Sequence, residues 1–184
     1  MAELTFSDVS RVLQADFETG KLFWRHRTPD MFPCDSNPES QCASWNTKYA
    51  GKPAFTANSH GYRAGTIFDR MHLAHRVLWL LHTGFWPEED IDHVNGNRSD
   101  NRIENLRSVP HVENQKNMCR GIRNKSGVVG VCWCGQINRW RANIRVAGSL
   151  MHLGYFAVFD DAVSVRKAAE VQYGFHVNHG KAAA

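Results

Sequence analysis

An aspartate and a histidine stand side by side at Asp92-His93, behind a short apolar approach at Ile91, with Asn105 twelve residues beyond His93 and Asn114 twenty-one beyond it. Histidine titrates near neutrality, so His93 is a candidate general base, able to take a proton from water at physiological pH. The Asp92 carboxylate and the Asn114 amide oxygen are hard donors that favour Mg²⁺ or Mn²⁺ over zinc. A base of this kind and one divalent ion per site together can activate a water and stabilise developing negative charge, the requirements of hydrolysis. The surrounding stretch is dense in asparagine, and Asn95, Asn97 and Asn101 read as turn builders, since Asn tolerates left-handed backbone. His75-Arg76 upstream offers a supporting histidine, either a phosphate contact or a buried hydrogen-bonded ring. His111, three residues before Asn114 and so on the same helix side, reads as support or surface.

Positioning these groups requires local structure on both sides. Tyr62–Phe68 and Met71–His75, separated by Asp69-Arg70, predict a β-hairpin, and Val77, Leu80 and Leu81 give Arg76–Thr83 a helical spacing that Gly84 closes. Pro110 suits the first position of a helix running to about Met118. Upstream, Phe17–Trp24 reads as a turn at Thr19-Gly20 followed by a strand, and 28–53, with Pro29, Pro33, Pro38 and Pro53, as a long surface segment. Downstream, the spacing predicts strands at Val128–Cys134, Arg139–Val146 and Leu150–Phe156, then a helix from an Asp160 N-cap to Tyr173 with Gly174 after it. That is a three-stranded antiparallel sheet with one helix. Its middle strand alternates, Trp140, Ala142 and Ile144 on one face and Arg139, Arg141, Asn143 and Arg145 on the other, with Cys132, Cys134 and His152 near the latter.

Charge points the same way. Residues 1–60 and 61–110 each hold six Lys/Arg against seven Asp/Glu, whereas 111–184 hold ten against four. Within 111–159 seven basic residues face Glu113 alone, so the net charge of +4 conceals a basic third suited to a polyanion, most simply nucleic acid. Arg123 and Lys125, in the polar linker between Gly121 and Gly127, are placed to touch phosphates.

The blocks Asp-His-Val-Asn-Gly-Asn, Asp-Asn-Arg-Ile-Glu-Asn-Leu-Arg and Glu-Asn-Gln-Lys-Asn, spread over about His75–Asn117, resemble the HNH nuclease family. The resemblance implies a ββα-metal core, His93 as base, Asp92 and Asn114 as metal ligands, and Asn105 as the asparagine that ties the loop and holds the His93 ring. The unit from Ser126 to Gly174 resembles the Apetala or ethylene-response-factor DNA-binding domain, which implies base reading by Arg139, Arg141, Asn143 and Arg145 with His152 near them; Cys132 and Cys134 stand where that family's pattern has basic residues. The two in series resemble phage-encoded and homing-type HNH endonucleases. The expectation is an α+β protein: an N-terminal segment over 1–59, a nuclease domain over 60–118, a basic linker over 119–126 and a DNA-binding domain over 127–178. Double-stranded DNA is the expected partner, with no obligate protein partner evident.

Other classes are set aside. The longest apolar run, Val77–Leu81 and then Phe85-Trp86, falls short of the roughly 20 residues that span a bilayer, and the N-terminus has no basic flank or apolar stretch of a signal peptide, so the expected location is the cytoplasm of a bacterial or phage-infected cell. Five cysteines without a Cys-x-x-Cys pair argue against a disulfide framework or zinc ribbon. The rival reading is a non-catalytic DNA-binding regulator on an inert HNH scaffold. RNA binding through Trp133, Trp140 and Tyr155 is a third, against which strand parity places both tryptophans on the core side.

Overall fold

The computed structural model describes residues 4–32, 37–117, 120–121 and 123–181; Cys34, Cys119 and the expected helix end at Met118 lie outside them. The chain divides into two compact units, Met1–Ser108 and Val109–Ala184.

The first unit opens with α1 (Phe6–Val12), started by a reciprocal cap in which the Thr5 hydroxyl accepts from the Asp8 N–H and the Asp8 carboxylate accepts from the Thr5 N–H. β1 (Leu13–Asp16) and β2 (Lys21–Trp24) form a hairpin that β3 (Pro53–Ala54) extends. The segment expected as surface chain is not featureless: it carries a 3₁₀ turn at Pro29–Met31 and α2 (Pro38–Tyr49). Pro38 begins this helix, because the first helical turn needs no N–H bond there, and the Asn37 side chain accepts from the Ser40 N–H as cap. β4 (Ala57–Ser59), β5 (Tyr62–Ile67) and β6 (Arg70–Leu73) make a second sheet whose β5–β6 turn places Phe68 and Asp69 both at positive φ. α3 (Ala74–Thr83) starts two residues earlier than its spacing predicts and ends at Gly84 in the left-handed region. Val9, Val12, Leu13, Leu22, Ile67, Val77, Leu78 and Leu80 share one core, so α1, β1 and β2 pack with the hairpin and helix that follow them. β7 (Asp90–His93) then pairs with β8 (Leu106–Val109).

The second unit begins with α4 (His111–Gln115), shorter than expected and with Pro110 as its N-cap. β9 (Val131–Cys134), β10 (Arg139–Val146) and β11 (Ser149–Phe156) form an antiparallel sheet in the order β11-β10-β9, and α5 (Phe159–Gln172) lies against it. β9 starts at Val131 rather than Val128: Gly130 sits at φ 79 and the Ser126 hydroxyl donates toward both the Val128 and Val131 carbonyls, fixing a turn where a strand was expected. α5 is capped by Val158 and not by Asp160, which falls with Asp161 in the first turn, where the helix dipole favours negative charge. Val131, Ala142 and Ala162 form the small core, with Trp140, Leu153, Phe156 and Phe159 around it.

Candidate functional site

β7 carries Asp92 and His93 into the interior, 6% and 4% exposed, and the loop from Val94 to Asn105 folds back over them. That loop is held by its own amides. The Asn105 amide nitrogen donates to the Asp100 carbonyl at 2.7 Å and to Asn95 Oδ1 at 3.1 Å, while its oxygen accepts the Asn95 N–H at 3.0 Å. Arg102 grips Asp100 through Nε and Nη2, both at 2.9 Å, and with the Asn95 amide this holds the Asp100 carboxyl down at about 2. The outcome is a loop tied at both ends next to His93.

The His93 ring is fixed by a residue that sequence reasoning left among the turn builders. Asn101, 3% exposed, sets its Oδ1 3.0 Å from His93 Nε2. An amide oxygen accepts, so it selects the tautomer with the proton on Nε2 and leaves the lone pair on Nδ1. Burial pushes the His93 pKa below the ordinary histidine value, opposed by the Asn101 hydrogen bond and the charge of Asp92, and the ring is therefore neutral and proton-accepting at pH 7. Tyr62 and His75 flank it, ring centres 5.9 and 5.1 Å away. His75 is itself buried, its Nδ1 has no hydrogen-bond partner, and burial, then the His93 and Arg76 charges, depress it to about 3.

Asp92 is an acceptor for Arg107, whose Nε and Nη2 donate to Oδ2 at 2.9 and 2.8 Å. Arg107 was part of a motif block but not a candidate; only the pairing of β7 with β8 brings it to Asp92. The remaining candidates are distributed as follows. Arg76 donates to the Pro87 carbonyl at 3.2 Å, and His111 is exposed with Nε2 3.0 Å from the Gln115 amide. Asn114 sits half-buried on α4, in the second compact unit, whereas Asp92, His93, Asn101, Asn105 and His75 belong to the first.

A second element of the first unit reaches this loop. The β1–β2 turn, in which Asp16 Oδ1 accepts from the Glu18 and Thr19 N–H groups, places Gly20 at φ 66 directly against the backbone of Asn101 and Arg102. The Phe17 carbonyl accepts the Ile103 N–H at 3.1 Å. The N-terminal hairpin therefore buttresses the residue that holds His93.

Residues 72–116 match the HNH endonuclease family. This stretch, about a quarter of the chain, runs from β6 to just past α4 and contains Asp92, His93, Asn101, Asn105 and Asn114. The chain is also 34% identical over 75 residues to Protein 3.8 of Escherichia phage T7, across 40% of this chain and 62% of that protein, so it spans less than two thirds of that relative. No solved structure gives a significant match. Residues 72–116 of this chain are thus similar to an HNH endonuclease domain.

HNH nucleases generally use a divalent metal ion. Among the described residues no three His, Cys, Asp or Glu side chains gather as a metal cage. A buried carboxylate such as Asp92 is nonetheless of the kind that suits a hard ion such as Mg²⁺, which binds through one or two carboxylates plus phosphate oxygens and keeps much of its water.

In the second unit β10 alternates as expected: Ala142 and Ile144 are buried, while Arg139 and Arg145 are exposed and Arg141 and Asn143 half-buried. Arg141 pairs across with Cys132 and Tyr155, and its Nη2 reaches Cys132 Sγ at 3.5 Å. A bulge in β11 puts His152 opposite Asn143, with the Asn143 amide 3.0 Å from His152 Nδ1, and turns Leu153 into the core. Trp133 and Trp140 meet edge to face at 5.3 Å on the helix side, and Arg123 and Lys125 are exposed. Among the described residues no helix is long and apolar enough to cross a membrane.

Proposed function

We propose that the chain is a metal-dependent endonuclease of double-stranded DNA, in which His93 is the general base and the C-terminal sheet directs the cut. The observation that supports it best is the buried His93 ring held by Asn101 in a loop tied by Asn105, all within the HNH match. In this reading Asn101 keeps the His93 lone pair on Nδ1, Asn105 stops the loop from moving the ring, and burial keeps it neutral so that it accepts a proton from water. Asp92 would help hold one Mg²⁺ or Mn²⁺, which when bound would neutralise phosphate charge and stabilise the departing oxygen; Asn114 is the further ligand that the HNH resemblance implies. Arg107 fixes the Asp92 carboxylate. The basic face of β10 supplies the address: Arg139, Arg141, Asn143 and Arg145 repeat at roughly 7 Å, twice the rise per residue, a spacing suited to successive base pairs in the major groove. The Apetala-type reader is part of this reading on the strength of the unit's basic outward face, since the family match ends at residue 116. The site of action in this reading is the DNA of a bacterial or phage-infected cell.

The test is cleavage of supercoiled plasmid. The protein should nick or cut with Mg²⁺ or Mn²⁺ and stop in excess EDTA, and His93→Ala should slow cleavage by about 10² or more while binding DNA as before. Plasmid binding without any cleavage under all metal conditions would support the regulator reading instead.

A further inference from the structure

The pairing of β9 with β10 stops at Val131 opposite Ala142, after which the Asn143 N–H donates to the Gly130 carbonyl at 2.8 Å. Among the described residues that edge of β10 has no partner strand beyond this point, and a cavity of about 310 Å³ opens beside it, wholly within the second unit. Lys116, Arg145 and Arg166 line it, with no carboxylate among its lining residues; Leu150 and Phe175 add apolar wall and His179 completes it.

The buried groups show that this is more than a surface crease. Arg166 is 2% exposed, with Nε donating to the Val129 carbonyl at 3.0 Å and Nη2 lying 3.3 Å from His179 Nε2 and 3.4 Å from the Glu170 carboxylate. Among the described residues its Nη1 has no hydrogen-bond partner, nor has Nδ1 of the buried His179. Glu170 also pairs with Lys167 at 2.7 Å, so its single charge is shared between two cations. A buried guanidinium with an unsatisfied donor and a divided counter-ion is costly unless an acceptor arrives from elsewhere. Gly130 makes room for it: a Cβ there would lie 2.5 Å from Arg166 Nε. Phe175, edge-on to His179 at 4.8 Å and with the Arg166 guanidinium 5.4 Å from its ring centre, forms an aromatic wall.

We propose that this cavity is a binding site for a nucleoside monophosphate unit, its phosphate taken by Lys116, Arg145 and Arg166 and its base laid against Phe175 and Leu150. The volume lies at the small end of the roughly 300–1,000 Å³ of ligand pockets, which suits one nucleotide and not an oligonucleotide. The site is separate from His93 and stands whether or not the chain cleaves DNA, but it shares Arg145 with the proposed base-reading face. The unit is either a free nucleotide or the 5′-phosphorylated end of a strand, which share this chemistry.

The experiment is calorimetric titration of the full chain in EDTA with deoxyadenosine monophosphate, deoxyadenosine and inorganic phosphate. The monophosphate should bind saturably at one site, and deoxyadenosine at least about tenfold more weakly, the scale of a lost charge-assisted hydrogen bond. Leu150→Glu, at a side chain 61% exposed, adds a carboxylate at the mouth without disturbing the fold, and should weaken binding by about tenfold or more, as should Lys116→Gln. A hairpin oligonucleotide carrying a 5′-phosphate that displaces the monophosphate, where its 5′-hydroxyl twin does not, would assign the site to strand ends; displacement by neither would assign it to free nucleotide. No saturable binding, equal binding of deoxyadenosine, or both variants binding like the parent would overturn the proposal.

Discussion

The contact between Gly20 and the Asn101 backbone allows the support of the base to be tested without touching any proposed catalytic residue. A methyl group at Gly20 would lie 2.8 Å from the Asn101 carbonyl oxygen and closer still to the Asn101 carbonyl carbon and the Arg102 nitrogen, where ordinary contacts run 3.4–4 Å. Its obstacles are backbone and cannot rotate away, so the 101–102 strand of the loop must retreat by roughly an ångström, a displacement that elsewhere costs as much as 10²-fold in rate. Such a retreat would lengthen the 3.0 Å His93–Asn101 bond beyond hydrogen-bonding range and release the ring. Gly20→Ala also carries the left-handed penalty at φ 66, about 1–2 kcal/mol. Gly51→Ala is the matched control: it sits at φ 73 with nothing within 4 Å of its added methyl, so it carries the same backbone penalty without the collision. In a plasmid-cleavage assay run below the melting temperature of both variants, Gly20→Ala should lose about 10²-fold in rate and Gly51→Ala almost none. Equal rates in the two variants would refute the claim that the N-terminal hairpin positions His93 through Asn101.

Three further outcomes are expected. Arg107→Leu removes the partner of a carboxylate whose side chain is 7% exposed; because Arg107 itself is 35% exposed, urea unfolding should show a loss of about 1–3 kcal/mol, below that of a fully buried pair, with Asp92→Asn in the same chain recovering part of it. Arg141→Ala should relax base preference at one or two positions in a selection from random duplexes at a cost of about 1–3 kcal/mol, whereas Arg123→Ala and Lys125→Ala should weaken all sequences alike and lower the salt slope by roughly one. His75, depressed to about 3 in the folded chain against 6.5 when exposed, takes its proton in the unfolded state first, so stability is full above pH 6.5 and declines as pH falls towards 3. Melting temperatures at pH 7.5, 5.5 and 4.5 should decrease in that order, less steeply in His75→Phe; a flat series would show that the ring is solvated.

Much of this protein follows from residue type and spacing. The hairpin at Tyr62–Leu73, the helix ending at Gly84 and the β-β-β-α order of the last third are local, each set by period, turn chemistry and caps within a few residues of one another. The Asp92-His93 pair and Asn105 stand out through the resemblance of their blocks to HNH nucleases, not through a geometric rule that the sequence carries by itself. α2 escaped notice because prolines at 29, 33, 38 and 53 suggest breaks, although Pro38 is tolerated as the first residue of a helix. What the sequence could not show depends on partners distant along the chain. Asn101 differs from Asn95 and Asn97 only in being carried under His93 by the loop, Arg107 reaches Asp92 across a two-strand pairing fifteen residues wide, and Gly20 meets Asn101 through the fold of the whole first unit. Strict alternation counted back from Phe156 would turn His152 inward; the bulge that seats Leu153 in the core reverses this and sets His152 opposite Asn143. The buried Arg166 with its unsatisfied donor shows least of all in the sequence, where it reads as one more charge on an amphipathic helix; only the packing of α5 against a sheet edge with room at Gly130 makes it a site.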